Sequence, residues 1–160
     1  MTIQPGDRIP QSTLTTMGEN KPVEITTHEI FSGRNVLMFA VPGAFTPTCS
    51  ARHLPGYIDL AAEFHKLDID SIACMAVNDV FVMDAWGKSA DAGEILMLAD
   101  GNADFTTAIG LEMDARPYGM GLRSQRFALL AEDGVIRHQF VEGPGEFRVS
   151  SAEYVLAHLD

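Results

Sequence analysis

Cys49 is the residue of this chain best placed to do chemistry. It ends the string Val41-Pro42-Gly43-Ala44-Phe45-Thr46-Pro47-Thr48-Cys49, which reads as a strand end, a loop and a helix start. Thr46 suits an N-cap, and Pro47 suits the first helical position, where its missing N–H costs nothing. Cys49 then falls at the third helical position, beside unpaired backbone N–H groups and the positive end of the helix dipole. That is also the carboxyl end of a central strand, where open α/β sheets place their ligands. A free cysteine with a pKa of ~8.5 is only about 3% thiolate at pH 7, and the thiolate is the nucleophile. Each unit of depression takes ~1.4 kcal/mol, whereas a helix N-terminus offers ~0.3–1 kcal/mol, or ~2 when partly buried. The helix therefore accounts for about one unit, and a nearby cation must supply more. Arginine is the natural supplier, because it stays charged and donates in a fork. On these residues alone, an inert buried cysteine remains an open alternative.

Other residues compete for the chemistry. His53 lies four positions after Cys49 and could share its helix face, an arrangement that would suit a thiol hydrolase with His as base. No third orienting residue is evident for it. Cys74, the second of two cysteines, sits between Ala73 and Met75 in an apolar strand and reads as a small buried hydrophobe. There is no C-x-x-C, which argues against a disulfide reductase. The five histidines are scattered, so neither a metal nor an organic cofactor is expected. Gly119-Met120-Gly121 lacks the next glycine and the preceding strand of a dinucleotide fingerprint.

The elements that must position Cys49 follow from periodicity. Asn35–Val41 and Ser71–Val77 are continuous apolar runs, suited to strands buried on both faces. Ser50–Leu67 carries helical spacing through Leu54, Tyr57, Ile58, Ala61, Phe64 and Leu67, with a kink expected at Pro55. Pro5–Leu14 reads as an extended opening, Pro22–Ile25 as a short strand and His28–Phe31 as one helical turn. Val80–Lys88 and Asp104–Ile109 read as helices around an Ile95–Ala99 strand. Arg126–Ala131 and Val135–Val141 form a hairpin across Asp133-Gly134. Ser151–Leu159 closes the chain as a helix, capped by Ser150 or Ser151. This order predicts one α/β domain over residues 1–160: a thioredoxin-like three-layer sandwich whose central mixed β-sheet combines parallel crossovers with one antiparallel hairpin.

Composition limits the partners. The chain has 160 residues, 46% of them hydrophobic, with 22 acidic and 11 basic side chains for a net charge of −11. A domain of this size buries enough surface to fold without staples. An acidic surface repels nucleic-acid backbones and anionic lipid, no apolar run is long enough for a membrane helix, and the N-terminus shows no secretory pattern. A cytoplasmic location is expected.

Pro42-x-x-x-Thr46-x-x-Cys49 resembles the active-site motif of peroxiredoxins. The wider string through Ser50 and then His53-Leu54-Pro55-Gly56 is similar to the type-II, or fifth, subfamily. So are Val77-Asn78-Asp79-Val80-Phe81-Val82-Met83, in which Val80 replaces the usual proline, Leu98–Asn102, Arg123–Phe127 and Val149–Glu153. The resemblance implies a thiol peroxidase acting on hydrogen peroxide, alkyl hydroperoxides and, by extension, peroxynitrite, in antioxidant defence and redox homeostasis. It makes Cys49 the peroxidatic cysteine, Thr46 the hydroxyl beside it, Pro42 the pocket shield and Arg126 the active-site arginine, with Arg123 its rival. Disulfide-forming members use a resolving cysteine near the C-terminus; nothing after Cys74 is a cysteine here. A Cys49 sulfenic acid is therefore expected to be reduced by an external thiol: glutathione, glutaredoxin or thioredoxin. The resemblance also implies a homodimer through the edge of the active-site region. A peroxide-sensing relay protein is the competing function, because its chemistry begins identically.

Overall fold

The computed structural model describes residues 1–159. Nine strands occur in chain order: β1 (Thr13–Met17), β2 (Pro22–Thr26), β3 (Asn35–Ala40), β4 (Ser71–Ala76), β5 (Leu96–Ala99), β6 (Glu112–Asp114), β7 (Leu122–Ser124), β8 (Phe127–Glu132) and β9 (Val135–Val141). The five α-helices are α1 (Thr27–Phe31), α2 (Leu54–His65), α3 (Val80–Ser89), α4 (Asp104–Ala108) and α5 (Ala152–His158). Seven strands form one sheet in the order β2-β1-β5-β4-β3-β8-β9, and β6 pairs with β7 apart from it. The centre, β5-β4-β3, is parallel, while β8 joins β3 antiparallel.

Side-chain alternation divides the core in two. Leu37, Phe39 and Val41 of the first long apolar run pack with Cys74 and with Leu54, Tyr57, Met83, Trp86 and Val155 from α2, α3 and α5. Val36, Met38 and Ala40 face the other way, onto Ile30 and Phe31 of α1 and Phe105 of α4. Successive strand residues must point to opposite faces, so a run apolar at every position is what a sheet covered on both sides requires. The three-layer thioredoxin-like arrangement is thus present.

The structure departs from the expected elements in several places. A strand not expected, β1, starts at the end of the extended opening and runs past Leu14 to Met17; it pairs with β2 and β5 and adds a second hairpin to the main sheet. The β6–β7 pair has no counterpart among the expected elements. The Asp133-Gly134 hairpin is there, with both turn residues at positive φ (50° and 79°) as a two-residue turn between twisted strands demands. Leu67 lies beyond the end of α2 and is 48% exposed. The helix after the Pro42–Thr48 loop begins at Pro47 and widens to a π turn over Cys49–His53 before α2 proper. Leu54 N–H donates to Cys49 O, five residues back. Pro55 explains the turn: it has no N–H for the Ala51 carbonyl, and its ring would crowd that carbonyl in an ordinary helix. The kink expected at Pro55 is therefore expressed as a π turn, and Cys49 opens that turn.

Candidate active site

Four segments converge on Cys49. The end of β3 leads into Pro42, the π turn carries Cys49 and His53, the residue ahead of β8 is Arg126, and the loop from Glu142 to Ser150 closes over them. Cys49 and His53 have no exposed surface (0% each). Arg126 Nη2 donates to Cys49 Sγ at 3.0 Å, and Arg126 Nη1 donates to His53 Nδ1 at 2.8 Å. The guanidinium thus sets a positive charge and an N–H donor directly on the sulfur. Among the described residues Arg126 forms no ion pair with a carboxylate, so its charge is left for sulfur and for whatever approaches it.

The tautomer of His53 follows from its partners. Nδ1 accepts from Arg126, so Nε2 carries the hydrogen and donates to Ser150 O at 3.0 Å. Burial first, and the Arg126 charge second, push the His53 pKa down to about 3, against the opposing pull of the Ser150 carbonyl. A neutral imidazole with its one lone pair held by an arginine cannot take a proton from Cys49 near pH 7, which removes the hydrolase arrangement. His53 instead orients the guanidinium. The depressed value also predicts a stability loss on acidification. The folded form keeps His53 neutral down to about pH 3, while an unfolded histidine protonates below ~6.5. The unfolded state thus binds the extra proton between these values, and stability falls as pH drops through that window. About 2 kcal/mol should be lost between pH 7 and pH 5 from this group. Urea unfolding of reduced protein at both pH values should show this increment in wild type and not in His53→Gln.

Thr46 occupies the residue before the helix, and Ser50 N–H donates to its carbonyl at 2.9 Å. Its hydroxyl does not serve as the expected cap; it donates to Gly43 O at 2.7 Å. That bond folds the loop back on itself and leaves the Thr46 oxygen lone pairs as acceptors. Pro42 is half-buried, and Arg123 Nη1 donates to its carbonyl at 3.4 Å. Arg123, the rival arginine, also donates to Met120 O at 2.8 Å and so ties the β6–β7 connection to the Pro42 loop rather than reaching sulfur. Ala44 N–H donates to Asn78 Oδ1, which joins the loop to the start of α3.

A cavity of about 590 Å³ opens beside these residues, lined by Pro42, Thr48, Met113, Tyr118, Arg126 and Phe147 among others. Arg126 touches both this cavity and the sulfur. Cys49 itself is fully buried and is not among the residues that line the cavity.

Cys74 lies in the middle of β4, opposite Phe39 of β3 and Met97 of β5, and is 0% exposed. Burial, and next the proximity of Cys49, push its thiol well above the ordinary range against the attraction of Arg126. Both cysteines are free. Among the described residues no group of three His, Cys, Asp or Glu side chains is placed to hold a metal ion.

Sequence reasoning missed Glu142, Ser150, Tyr57 and Phe147 as parts of this site. Ser150 O accepts from Tyr57 Oη at 2.7 Å as well as from His53. Phe147 sets its ring edge against His53, with centroids 4.9 Å apart, and lies 5.6 Å from the Arg126 guanidinium carbon. The available signal was the Val149–Glu153 match, which carried no chemistry by itself.

The sheet order and the pairing of a buried Cys49 with Arg126 define a thioredoxin-like redox protein without a C-x-x-C. The Redoxin family model matches residues 4–156. The chain is 49% identical to Peroxiredoxin-2E-2, chloroplastic, of Oryza sativa subsp. japonica, over 99% of this chain and 73% of that protein. It is 45% identical to Peroxiredoxin-2D of Arabidopsis thaliana, over 96% of each. The crystal structure of reduced Prx3 in complex with H2O2 from Vibrio vulnificus superposes with a TM-score of 0.96 at 50% identity, covering 99% of this chain and 100% of that one. The chain therefore belongs to the Redoxin family and, within it, to the peroxiredoxins of the type-II kind. It is a thiol peroxidase.

Proposed function

We propose that Cys49 is the peroxidatic thiolate and that Arg126, Thr46 and Pro42 serve it. The observation that carries this reading is the 3.0 Å contact between Arg126 Nη2 and the buried Cys49 Sγ, with no carboxylate among the described residues paired to that arginine. The thiolate attacks one oxygen of a hydroperoxide, forming the S–O bond as the O–O bond breaks. The electron pair of that bond leaves on the second oxygen, which takes up a proton and departs as water or an alcohol. Negative charge grows on the leaving oxygen, where the Arg126 guanidinium is the available cation. With its hydrogen engaged by Gly43, the Thr46 hydroxyl accepts the hydroperoxide O–H and orients it. Pro42 walls the cavity and limits further oxidation of the sulfenic acid. Hydrogen peroxide and alkyl hydroperoxides are the substrates; the cavity volume supports room for the alkyl group, and peroxynitrite is a further candidate. The Vibrio vulnificus relative, crystallised in complex with H2O2, supports the smallest of these.

The sulfenic acid is returned to thiol from outside: one thiol forms a mixed disulfide and releases water, and a second thiol releases Cys49. Burial of Cys74 and its raised pKa support an external partner over an internal one. Glutathione with glutaredoxin, or thioredoxin, fills that role. No helix among the described residues is long and apolar enough to cross a membrane, and two unbridged thiols support a reducing compartment such as the cytoplasm. The exposed Phe45 (54%) and Phe81 (65%), on the active-site loop and the linked start of α3, support a homodimer through that edge. A coupled NADPH assay with glutathione and glutaredoxin, then with thioredoxin, tests the cycle. Steady peroxide turnover with one system is expected. Consumption that stops after one equivalent with both would replace the peroxidase reading by a peroxide sensor.

A further inference from the structure

Glu142 is a buried acid that the proposed mechanism does not use. It is 6% exposed, and among the described residues it has no cationic side-chain partner. Its carboxylate instead accepts from three successive backbone N–H groups, those of Arg148 (2.9 and 2.8 Å), Val149 (2.9 Å) and Ser150 (2.8 Å), and from Ser150 Oγ (2.7 Å). Burying a charge is costly unless such donors compensate it. Burial does push the carboxyl up, but the hydrogen bonds from Ser150, Arg148 and Val149 outweigh it and hold the group below its usual range. Glu142 N–H also donates to Arg126 O at 3.0 Å. The residue therefore grips Arg126 through its backbone and the far end of the 143–150 loop through its side chain.

What that loop presents to the site gives the grip its meaning. The Ser150 carbonyl, fixed by the clamp, receives the His53 Nε2 hydrogen and so sets the plane of the imidazole. The opposite edge of that ring accepts the Arg126 Nη1 hydrogen, and Arg126 Nη2 reaches sulfur. Phe147, within the same loop, rests against both His53 and the guanidinium. We propose that Glu142 is a positioning residue for the peroxidatic centre, holding the 143–150 loop so that Ser150, His53 and Arg126 aim one guanidinium N–H at Cys49. This rests on the thiol-peroxidase reading of Cys49 and Arg126.

Glu142→Gln places an amide NH2 against backbone N–H donors, which opens the clamp with little change in volume. Its expected results are a smaller thiolate absorbance at 240 nm at a fixed neutral pH and about a tenfold slower stopped-flow reaction of Cys49 with hydrogen peroxide. Glu142→Asp, which keeps the charge, should recover part of both. In an Arg126→Ala background, Glu142→Gln should add no further slowing, because the groups act as one unit. A lower melting temperature with unchanged absorbance and rate, or a fully additive double variant, would overturn the proposal. Should Glu142→Gln not fold, Ser150→Ala, which removes only the hydroxyl donor, carries the test: both readouts are expected to shift by about two- to threefold, and unchanged values overturn it. Wild-type protein that consumed no peroxide would instead sink the peroxidase reading, which the thiolate absorbance of the variants does not depend on.

Discussion

Arg126→Ala is expected to slow the reaction of Cys49 with hydrogen peroxide by about 10²–10³-fold, the range found when one preorganised donor to a developing oxyanion is removed. Two effects act in the same direction. Loss of the Nη2 contact at 3.0 Å takes a cationic donor away from the sulfur, and loss of the cation removes stabilisation of the leaving oxygen. Arg126→Lys separates them. A lysine restores a positive charge but not the fork that bonds sulfur and His53 Nδ1 together. It is expected to recover only part of the rate. The fold should tolerate both changes, because Arg126 lies ahead of β8 and makes none of that strand's register pairs with β3. Stopped-flow mixing with a single equivalent of peroxide measures the step directly, and a rate for Arg126→Ala equal to wild type would contradict the arginine assignment.

The second large effect concerns the thiol. Cys49→Ser is expected to abolish peroxide reduction, since a serine hydroxyl at neutral pH is not a useful nucleophile toward an O–O bond. The substitution is close to isosteric at a fully buried site, so the π turn and its Leu54-to-Cys49 backbone bond should survive. Cys74→Ser provides the contrast: Cys74 is enclosed between β3 and β5, and its loss should leave the peroxide step near wild type while costing some stability for the unpaired buried hydroxyl. Peroxide consumption and urea unfolding on both variants distinguish chemistry from packing.

The legible part of this site was the part contained in a short string. Pro42, Thr46 and Cys49 are fixed to one loop and one helix start, where local physics singled out Cys49 but left an inert buried cysteine as an equal alternative until the motif was read. Arg126, 77 positions away from Cys49, could be named only through the family motif, because a pairing across β3 and β8 leaves no local trace. His53 shows the limit more sharply. Its four-residue spacing from Cys49 suggested a base, yet its neutral state is set by burial and by an arginine 73 positions away. Glu142 is a single acid ahead of Gly143-Pro144-Gly145, and nothing in that composition announces a buried clamp.

The fold divides in the same way. β3 and β4 were plain because every position after the first is apolar, α2 because its apolar residues recur at helical spacing, and α5 because a serine caps it. β1 was hidden, since Thr13–Met17 is mostly polar and only Leu14 is buried; its strand state comes from β2 and β5. β6 and β7 have three residues each, too few for a period to register. The π turn at Cys49–His53 follows from what Pro55 cannot donate, a constraint that periodicity reads as a kink.

The most direct test of Cys49 as the working thiol is mass spectrometry of reduced protein treated with one equivalent of hydrogen peroxide and a sulfenic-acid trap. The expected product carries one trap adduct, on Cys49, with Cys74 unmodified. A Cys49–Cys74 disulfide formed in its place would contradict the single-thiol cycle, and an adduct confined to Cys74 would contradict the assignment of Cys49 itself.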